Sequence, residues 1–321
     1  MKSGYDVIGD VHGQALKLEG LLGQMDYQQD ADGVYRHRDR VAIFVGDLID
    51  RGEYQEKTLK MVKAMVDSGA ALIVMGNHEF NALAFEAGLR PDTEHNRKQH
   101  HAFLEQLPAD AKREYLDWFF TIPLWLEIDG LRVIHACWNQ ELIDALARRL
   151  VGGRLSPTLL EEAARKPELK AGETINPYDL YWSIEVLLKG PEVPVTPAYQ
   201  TGPGEKPRNK ARLKWWLDYR GGDKAAYLAT DGYCFADGRE GEYQPDGGPL
   251  EQRYRSLFYQ GLKPVVFGHY WRNGTPLHGM SYQDHAACVD FSAAKDGHLT
   301  AYRFTIGDTK IRQDGFVQFA G

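Results

Sequence analysis

The chain has 321 residues, of which 43% are hydrophobic and 26% charged, a composition typical of a globular protein with one large domain or two ordinary ones. Its net charge of −7 argues against non-specific binding to nucleic acid, because such binding requires a surplus of cations facing the phosphates. A strand is predicted to begin by Tyr5, which leaves no room for a signal peptide, and no apolar run approaches the length of a membrane span, so we expect a soluble, cytoplasmic protein without membrane contacts.

The first predicted element is a strand that ends in two possible metal ligands. The strand over residues 5–8 is followed by Gly9-Asp10-Val11-His12-Gly13, and a helix with an apolar face at residues 18, 21, 22 and 25 comes next. Because side chains alternate along an extended chain, Asp10 and His12 lie on one side of it. The flanking glycines allow a sharp turn and a close approach to a ligand.

The same order of strand, polar cluster and helix occurs twice more. The apolar runs 41–45 and 71–75 are typical of strands that are covered on both faces. They end in Gly46-Asp47-Leu48-Ile49-Asp50-Arg51-Gly52 and in Gly76-Asn77-His78-Glu79. Ligand sites in open α/β sheets lie at such carboxyl ends of strands, so the three polar clusters are predicted to form one site.

The remaining elements complete a mixed pattern of helices and strands. Residues 81–120 have a helical pattern, and residues 124–135 are predicted to form a hairpin. Residues 139–190 are predicted to be mostly helical, whereas 189–210 and 221–249 are broken by proline and glycine and are predicted to be loops. Strands are predicted again at 264–269, 287–291, 299–304 and 315–319.

Six polar side chains lie at the ends of predicted strands, and they converge if those strands share one sheet edge. They are Asp10, His12, Asp47, Asn77, His135 and His269. Oxygen and imidazole donors without thiolate suit manganese, iron or zinc, and six ligands are enough for two ions. A carboxylate that bridges two ions about 3.5–4 Å apart is a common way to hold such a pair. We therefore predict two divalent metal ions, with Mn²⁺ favoured and Fe or Zn as alternatives.

In this order the three clusters resemble the motifs of the calcineurin-like metallophosphoesterases. The matching sequences are Gly-Asp-x-His-Gly, Gly-Asp-x-x-Asp-Arg-Gly and Gly-Asn-His-Glu, and the last two are most similar to the phosphoprotein phosphatase branch. The resemblance covers residues 5–85, then His135 and Gly268-His269. It implies an α/β fold in which two mixed sheets and their flanking helices form a four-layer α-β-β-α sandwich with a dinuclear centre at one edge.

The resemblance also implies a role for each motif residue. Asp10 and His12 hold the first metal, Asp47 bridges, and Asn77, His135 and His269 complete the second. His78 resembles the general acid that protonates the leaving oxygen, and Asp50 holds its ring. Arg51 resembles the arginine that binds the substrate phosphate, since its planar fork matches two phosphoryl oxygens.

Two parts of the sequence depart from the family pattern. His135 is followed by Ala136-Cys137-Trp138, where protein phosphatases of this branch typically have two glycines. The segment from about 139 to 260 matches nothing in the family. We predict one domain whose core covers 1–138 and 261–321, with a largely helical cap inserted at 139–260.

Several residues outside the motifs have more than one interpretation. No motif marks a further phosphate-binding arginine; Arg212, beside two tryptophans, is the first candidate, followed by Arg97 and Arg208. Asp290 could hydrogen-bond a metal ligand without binding the metal itself, or it could make a structural hydrogen bond. A polar helical stretch contains three histidines that are expected to face solvent, namely His95, His100 and His101.

The main functional prediction is a hydrolase that cleaves phosphate monoesters by attack of a metal-bound hydroxide, like a protein serine/threonine phosphatase. Its substrate would be a phosphoprotein or a nucleotide. One alternative is a nucleotide or dinucleoside polyphosphate hydrolase resembling the symmetrical tetraphosphatases, although these commonly carry Gly-Asn-His-Asp. A nucleic-acid end-healing phosphatase is disfavoured by the acidic charge, and an inactive binding scaffold is disfavoured by the complete set of ligands.

Overall fold

The computed structural model describes residues 2–168, 176–202, 205–276 and 282–321. Within these ranges, the side chains of His95, Lys98, Gln99 and Tyr282 lie outside the description. The chain divides into two compact units, the first formed by Met1–Lys189 with Gly261–Gly321 and the second by Gly190–Gln260. No helix in the described ranges is both long and apolar enough to cross a bilayer.

Strands and helices alternate along most of the chain. The strands are β1 (Gly4–Ile8), β2 (Gln28–Gln29), β3 (Tyr35–Arg36), β4 (Arg40–Phe44), β5 (Ala71–Ile73), β6 (Trp125–Ile128), β7 (Leu131–Ile134), β8 (Glu192–Gln200), β9 (Arg208–Arg212), β10 (Cys234–Phe235), β11 (Val265–Phe267), β12 (Tyr282–Gln283), β13 (Ala286–Cys288), β14 (Asp290–Phe291), β15 (His298–Thr305) and β16 (Phe316–Phe319). The helices are α1 (Ala15–Gln24), α2 (Gln55–Asp67), α3 (Asn77–Glu86), α4 (Glu94–Gln106), α5 (Ala109–Phe119), α6 (Gln140–Ala147), α7 (Leu160–Ala164), α8 (Leu180–Lys189) and α9 (Gln252–Arg255). Short 3₁₀ turns cover Val151–Gly153, Pro157–Leu159, Lys224–Tyr227 and Gln313–Gly315.

Two mixed sheets form the frame of the first unit. In the described residues, one sheet has the order β14-β15-β1-β4-β5, with β16 paired to β15. Its β1, β4 and β5 run parallel, whereas β15 is antiparallel to β1. The other sheet has the order β12-β13-β11-β7-β6, in which β7, β11 and β13 run parallel. Parallel strands from both sheets can therefore deliver their carboxyl ends to one place.

The two sheets pack against each other through one buried apolar cluster. Val7 and Ile43 from the first sheet and Val133 and Val266 from the second are members of this cluster. Helices α1 and α2 contact the first sheet, which explains why the short apolar run of β4 is buried over Val41–Phe44. The α/β sandwich of two mixed sheets that the sequence predicted is confirmed.

The second unit contains strands where a loop was predicted. Residues 189–210 include β8 and the first part of β9, which pair antiparallel, with β10 on the other side of β8. Val193 and Val195 are buried and their neighbours are exposed, as expected of a strand with one covered face. The loop was predicted from the prolines and glycines of this segment, because proline normally demotes a central strand. The prediction was wrong because Pro194 occupies an exposed position of the alternation and Pro197 is also accommodated within β8.

The helical part of the predicted insertion belongs to the first unit. Helices α6, α7 and α8, between residues 140 and 189, group with that unit, and the second unit begins at Gly190. Trp215 and Trp216 are buried within the second unit. The interpretation of 139–260 as one cap stays a prediction.

Candidate metal centre

The six side chains predicted to bind metal lie just past the carboxyl ends of strands, and each is at most 6% exposed. In the first sheet Asp10 and His12 follow β1, Asp47 follows β4 and Asn77 follows β5, and in the second sheet His135 follows β7 and His269 follows β11. The hairpin prediction placed His135 correctly, because β6 and β7 pair antiparallel across the Asp129-Gly130 turn.

Asp47 is surrounded by histidines. Its Oδ2 lies 3.6 Å from Nε2 of His12, and its Oδ1 lies 3.4 Å from Nε2 of His135. The same Oδ1 accepts a hydrogen bond from the backbone N–H of His78 at 2.9 Å. One carboxylate therefore faces imidazoles from both sheets, which is the placement a bridging ligand needs.

The remaining ligand candidates gather around His135 and His269. Nε2 of His135 lies 3.1 Å from Oδ1 of Asn77 and 3.2 Å from Nδ1 of His269. The backbone N–H of His269 lies 3.1 Å from Oδ2 of Asp10. Through these contacts all six candidates belong to one continuous cluster.

The orientation of His12 fits a metal ligand. Its Nδ1 lies 2.7 Å from the carbonyl of Ile49, and because a carbonyl only accepts, Nδ1 carries the proton and Nε2 carries a lone pair. Among the described residues, no hydrogen-bond partner reaches this buried Nε2, although buried polar atoms are normally paired. Burial, His78 and Arg51 lower the pKa of His12 to about 3. A neutral imidazole with a buried lone pair is the form that binds metal.

The carboxylates of the cluster repel one another, which favours a bound cation. Burial raises the pKa of Asp10 well above its ordinary value, and the charges of Asp290 and Asp47 raise it further. Burial also acts to raise the pKa of Asp47, but the three histidines around it lower it below its ordinary value. A divalent ion beside these groups would stabilise both carboxylates in the ionised form.

Two glycines allow the backbone to approach these carboxylates. A Cβ on Gly268 would lie 2.0 Å from Oδ1 of Asp10, and a Cβ on Gly76 would lie 2.3 Å from Oδ1 of Asp47. Both distances are far inside van der Waals contact. Each position therefore requires glycine because its backbone packs directly against a ligand candidate.

The backbone around the cluster is strained. Non-glycine residues with positive φ include His12 (47°), Asp47 (51°), Asp50 (72°), Arg51 (70°) and His269 (69°). Such left-handed conformations are uncommon for residues with side chains, and they tend to occur where function requires a particular side-chain position.

Glu79 supports Asp47, a role that the sequence did not reveal. Its carboxylate accepts hydrogen bonds from the backbone N–H groups of Asp47 and Leu48, both at 2.8 Å, and from that of Gly76 at 3.0 Å. Burial, followed by the charge of Asp47, raises the pKa of Glu79 to about 7. The glutamate of the Gly-Asn-His-Glu motif thus holds two of the polar clusters together.

His78 shares the Asp50 carboxylate with a second histidine. Asp50 Oδ2 lies 2.5 Å from Nδ1 of His78 and 2.8 Å from Nδ1 of His100. Burial acts to lower the pKa of His78, but the charges of Asp47 and Asp50 raise it above its ordinary value. The arrangement favours a protonated His78 whose ring is held by Asp50.

The expectation that His100 faces solvent was wrong. His100 is fully buried, whereas His101 is exposed as expected and the side chain of His95 lies outside the described residues. The sequence did contain a signal, because the apolar residues Phe103 and Leu107 are three and seven positions after His100 and therefore share its helical face. Both are buried in the structure.

The candidate phosphate-binding arginines lie in different surroundings. Arg51 is exposed, and its Cζ lies 4.7 Å from the ring centroid of Trp271. Arg97 is exposed and makes two hydrogen bonds to Asp92, both at 2.5 Å. Arg208 and Arg212 are in β9 of the second unit, and their role in binding phosphate stays a prediction.

Comparison with known sequences gives a consistent family match. The model of the calcineurin-like phosphoesterase family matches residues 5–270. The asymmetrical bis(5'-nucleosyl)-tetraphosphatase PrpE of Oceanobacillus iheyensis is 30% identical over 151 residues, which are 45% of this chain and 60% of that protein. A symmetrical bis(5'-nucleosyl)-tetraphosphatase of Marinomonas sp. is 30% identical over 150 residues, which are 45% of this chain and 49% of that protein. The matched region thus spans between about half and three fifths of these relatives.

A solved structure supports the fold. A protein serine/threonine phosphatase from Saccharomyces cerevisiae superposes with a TM-score of 0.50 over 100% of this chain and 80% of that chain. The two sequences are 13% identical, so the similarity concerns the architecture alone.

Proposed function

This chain belongs to the calcineurin-like phosphoesterase family, and on that basis we propose that it is a metal-dependent phosphoesterase that hydrolyses dinucleoside polyphosphates. The observation that carries the proposal is the buried Asp47 carboxylate, placed between His12 and His135. The curated relatives are named tetraphosphatases. They support the alternative drawn from the sequence better than its main prediction of a protein serine/threonine phosphatase.

The ligand candidates fit two divalent ions. Asp10 and His12 would hold one ion and Asn77, His135 and His269 the other, with Asp47 shared between them. Manganese is proposed because the donors are oxygen and imidazole without thiolate. When bound, a metal pair supplies a nucleophile at neutral pH and neutralises phosphoryl oxygens during in-line displacement.

Side chains of the protein would protonate the leaving group and bind the phosphate. Because Nδ1 of His78 donates to Asp50, Nε2 is the atom that can give a proton to the leaving oxygen. The raised pKa of His78, which Asp47 and Asp50 produce against the effect of burial, keeps that proton available. Arg51 would donate two parallel hydrogen bonds to the phosphoryl oxygens.

A substrate panel tests the proposal. With manganese present, we expect diadenosine tetraphosphate to be hydrolysed with a kcat/KM at least about tenfold above that of a phosphoserine peptide, about 1.4 kcal/mol in transition-state stabilisation. A mononucleotide and a 2′,3′-cyclic nucleotide complete the panel. Chromatography of the products separates cleavage into two ADP from cleavage into ATP and AMP.

Chelation and a variant control for contaminating activity. EDTA should abolish hydrolysis and manganese should restore it, while Asp47→Asn purified in the same way should stay inactive. A clear preference for the phosphoserine peptide would return the assignment to a protein phosphatase. Activity that survives complete chelation would contradict the metal dependence.

His100 is expected to position the candidate acid through Asp50. Replacing His100 by leucine removes one hydrogen bond to a buried carboxylate, a loss on the order of 1.5 kcal/mol, so kcat on an alkyl phosphate should fall about tenfold. His100→Gln, which can still donate, should recover part of the loss. The kcat of each variant on an alkyl phosphate and on p-nitrophenyl phosphate is the measurement.

The exposed neighbour His101 provides the matched control. His101→Leu should match the wild-type enzyme on both substrates, and circular dichroism should confirm that all variants are folded. A folded His100→Leu protein that loses equal activity on the two substrates would point to general destabilisation of the site rather than to positioning of the acid.

A further inference from the structure

A half-buried tryptophan beside the metal centre contacts two cationic side chains from distant parts of the chain. Trp271 comes two residues after His269. The Cζ of Arg51 and the Nζ of Lys295 each lie over its ring, 4.7 Å from the centroid. Both cations are exposed. Cation–π attraction, although weak at exposed sites, favours conformations that keep both cations near the ring.

Arg51 is close to the metal centre through its neighbour in the chain. It directly follows Asp50, whose Oδ2 lies 2.5 Å from Nδ1 of His78, and Nε2 of the same His78 ring lies 3.8 Å from Oδ2 of Asp47. Because Lys295 shares the ring of Trp271 with Arg51, its ammonium lies at the same edge of the site.

Asp290 fixes the backbone that carries the tryptophan. Its carboxylate accepts hydrogen bonds from the backbone N–H of Trp271 at 2.9 Å and from that of Ser292 at 3.0 Å. Trp271 and Ser292 have positive φ values of 37° and 60°, which is costly for residues with side chains. The structural hydrogen bond considered for Asp290 is therefore present, and it holds two strained segments side by side.

Lys17 fixes the loop that carries Lys295. Its Nζ donates hydrogen bonds to the carbonyls of Ala293 at 3.0 Å and Gly297 at 2.7 Å, which flank Lys295. The backbone N–H of Lys295 donates to the carbonyl of Ser292 at 2.9 Å. An exposed cation on a backbone held at both sides loses less entropy on binding an anion than one on a free loop.

We propose that Lys295, placed beside Arg51 at the ring of Trp271, forms a subsite for the phosphate of the substrate that follows the cleaved phosphoryl group bound by Arg51. The inference rests on the proposed function and specifies how the site recognises a polyphosphate. A bound metal pair would neutralise one phosphoryl group, whereas a polyphosphate carries further negative charges in a row. The guanidinium of Arg51 offers a planar fork to the cleaved phosphoryl group, and the ammonium of Lys295 offers a compact point charge to the next phosphate.

The subsite predicts a preference between two ligands that differ by one phosphonate unit. The ligands are AMP and the methylene analogue of ADP, in which a CH₂ group replaces the bridging oxygen so that the bridge cannot be hydrolysed. Isothermal titration of the protein in excess manganese gives the affinity for each. In Lys295→Ala the ratio of analogue affinity to AMP affinity should fall about tenfold, as expected for one hydrogen bond to a charged group.

Matched variants separate the subsite from general effects. Lys310→Ala removes an exposed lysine that pairs with Asp284, and it should keep the wild-type ratio. Trp271→Leu should lower the ratio, and Trp271→Phe should recover part of it because a ring remains. The subsite would be overturned if Lys295→Ala and the wild-type protein had the same ratio of analogue affinity to AMP affinity. It would also be overturned if the wild-type protein did not prefer the analogue to AMP.

The outcome is independent of the proposed substrate. If the affinity ratio depends on Lys295 but diadenosine tetraphosphate is not hydrolysed, the proposed function fails and the subsite stands. If the tetraphosphate is hydrolysed and Lys295→Ala keeps the wild-type ratio, the subsite fails and the function stands.

Discussion

Asp47→Asn is expected to lose both metal ions and to reduce hydrolysis by at least about 10³-fold, since a metal ion contributes several kcal/mol to transition-state stabilisation. The physical reason is the position of the carboxylate, whose two oxygens lie 3.6 Å from Nε2 of His12 and 3.4 Å from Nε2 of His135. Asparagine offers one neutral oxygen in place of two that share a charge. Metal content after dialysis, measured by mass spectrometry, is the direct readout.

The metal content of Asn77→Ala is the comparison for that of Asp47→Asn. Asn77 contacts His135 at 3.1 Å and lies on the side of the cluster assigned to one ion only. We expect this variant to lose mainly one ion and to keep the other. If Asp47→Asn retained two tightly bound ions, Asp47 would not be the shared ligand.

His78→Asn is expected to keep both metals and to lose activity according to the leaving group. A general acid contributes about 10²–10⁴-fold, and most of that factor should be lost on an alkyl phosphate. The loss should be smaller on p-nitrophenyl phosphate, whose leaving group needs little protonation. The backbone N–H of His78, which bonds Asp47 at 2.9 Å, is unchanged by the substitution, so metal binding should persist.

The comparison of kcat on the two substrates decides the role of His78. Equal losses on the alkyl and aryl esters would indicate that His78 positions the phosphate rather than protonates the leaving oxygen. A loss of metal would show instead that His78 belongs to the ligand set, since its Nε2 lies 3.8 Å from Oδ2 of Asp47.

The site candidates could be predicted from the sequence because they depend on local order along the chain, whereas the sandwich of two sheets was implied by the resemblance to the family. Short apolar runs identify buried parallel strands, and parallel strands present the residues after them at one edge. Asp10, Asp47 and His135 were therefore expected to converge on the condition that their strands share one sheet edge; in the structure His135 comes from the second sheet.

The features that the sequence missed depend on contacts between distant segments. His100 was assigned to solvent because its neighbours are polar, although 50 residues separate it from the Asp50 carboxylate it binds. Strand β8 was hidden by its prolines. The position of Trp271 beside Arg51 and Lys295 depends on a φ of 37°, which no sequence pattern indicates.

Anomalous diffraction from crystals grown with manganese would show whether Asp47 is shared by two ions, because it locates the ions themselves rather than their effects. We expect two peaks on either side of the Asp47 carboxylate, one contacting His12 and the other contacting His135. A single peak, or peaks that do not contact Asp47, would contradict the shared-ligand metal pair on which the proposed function depends.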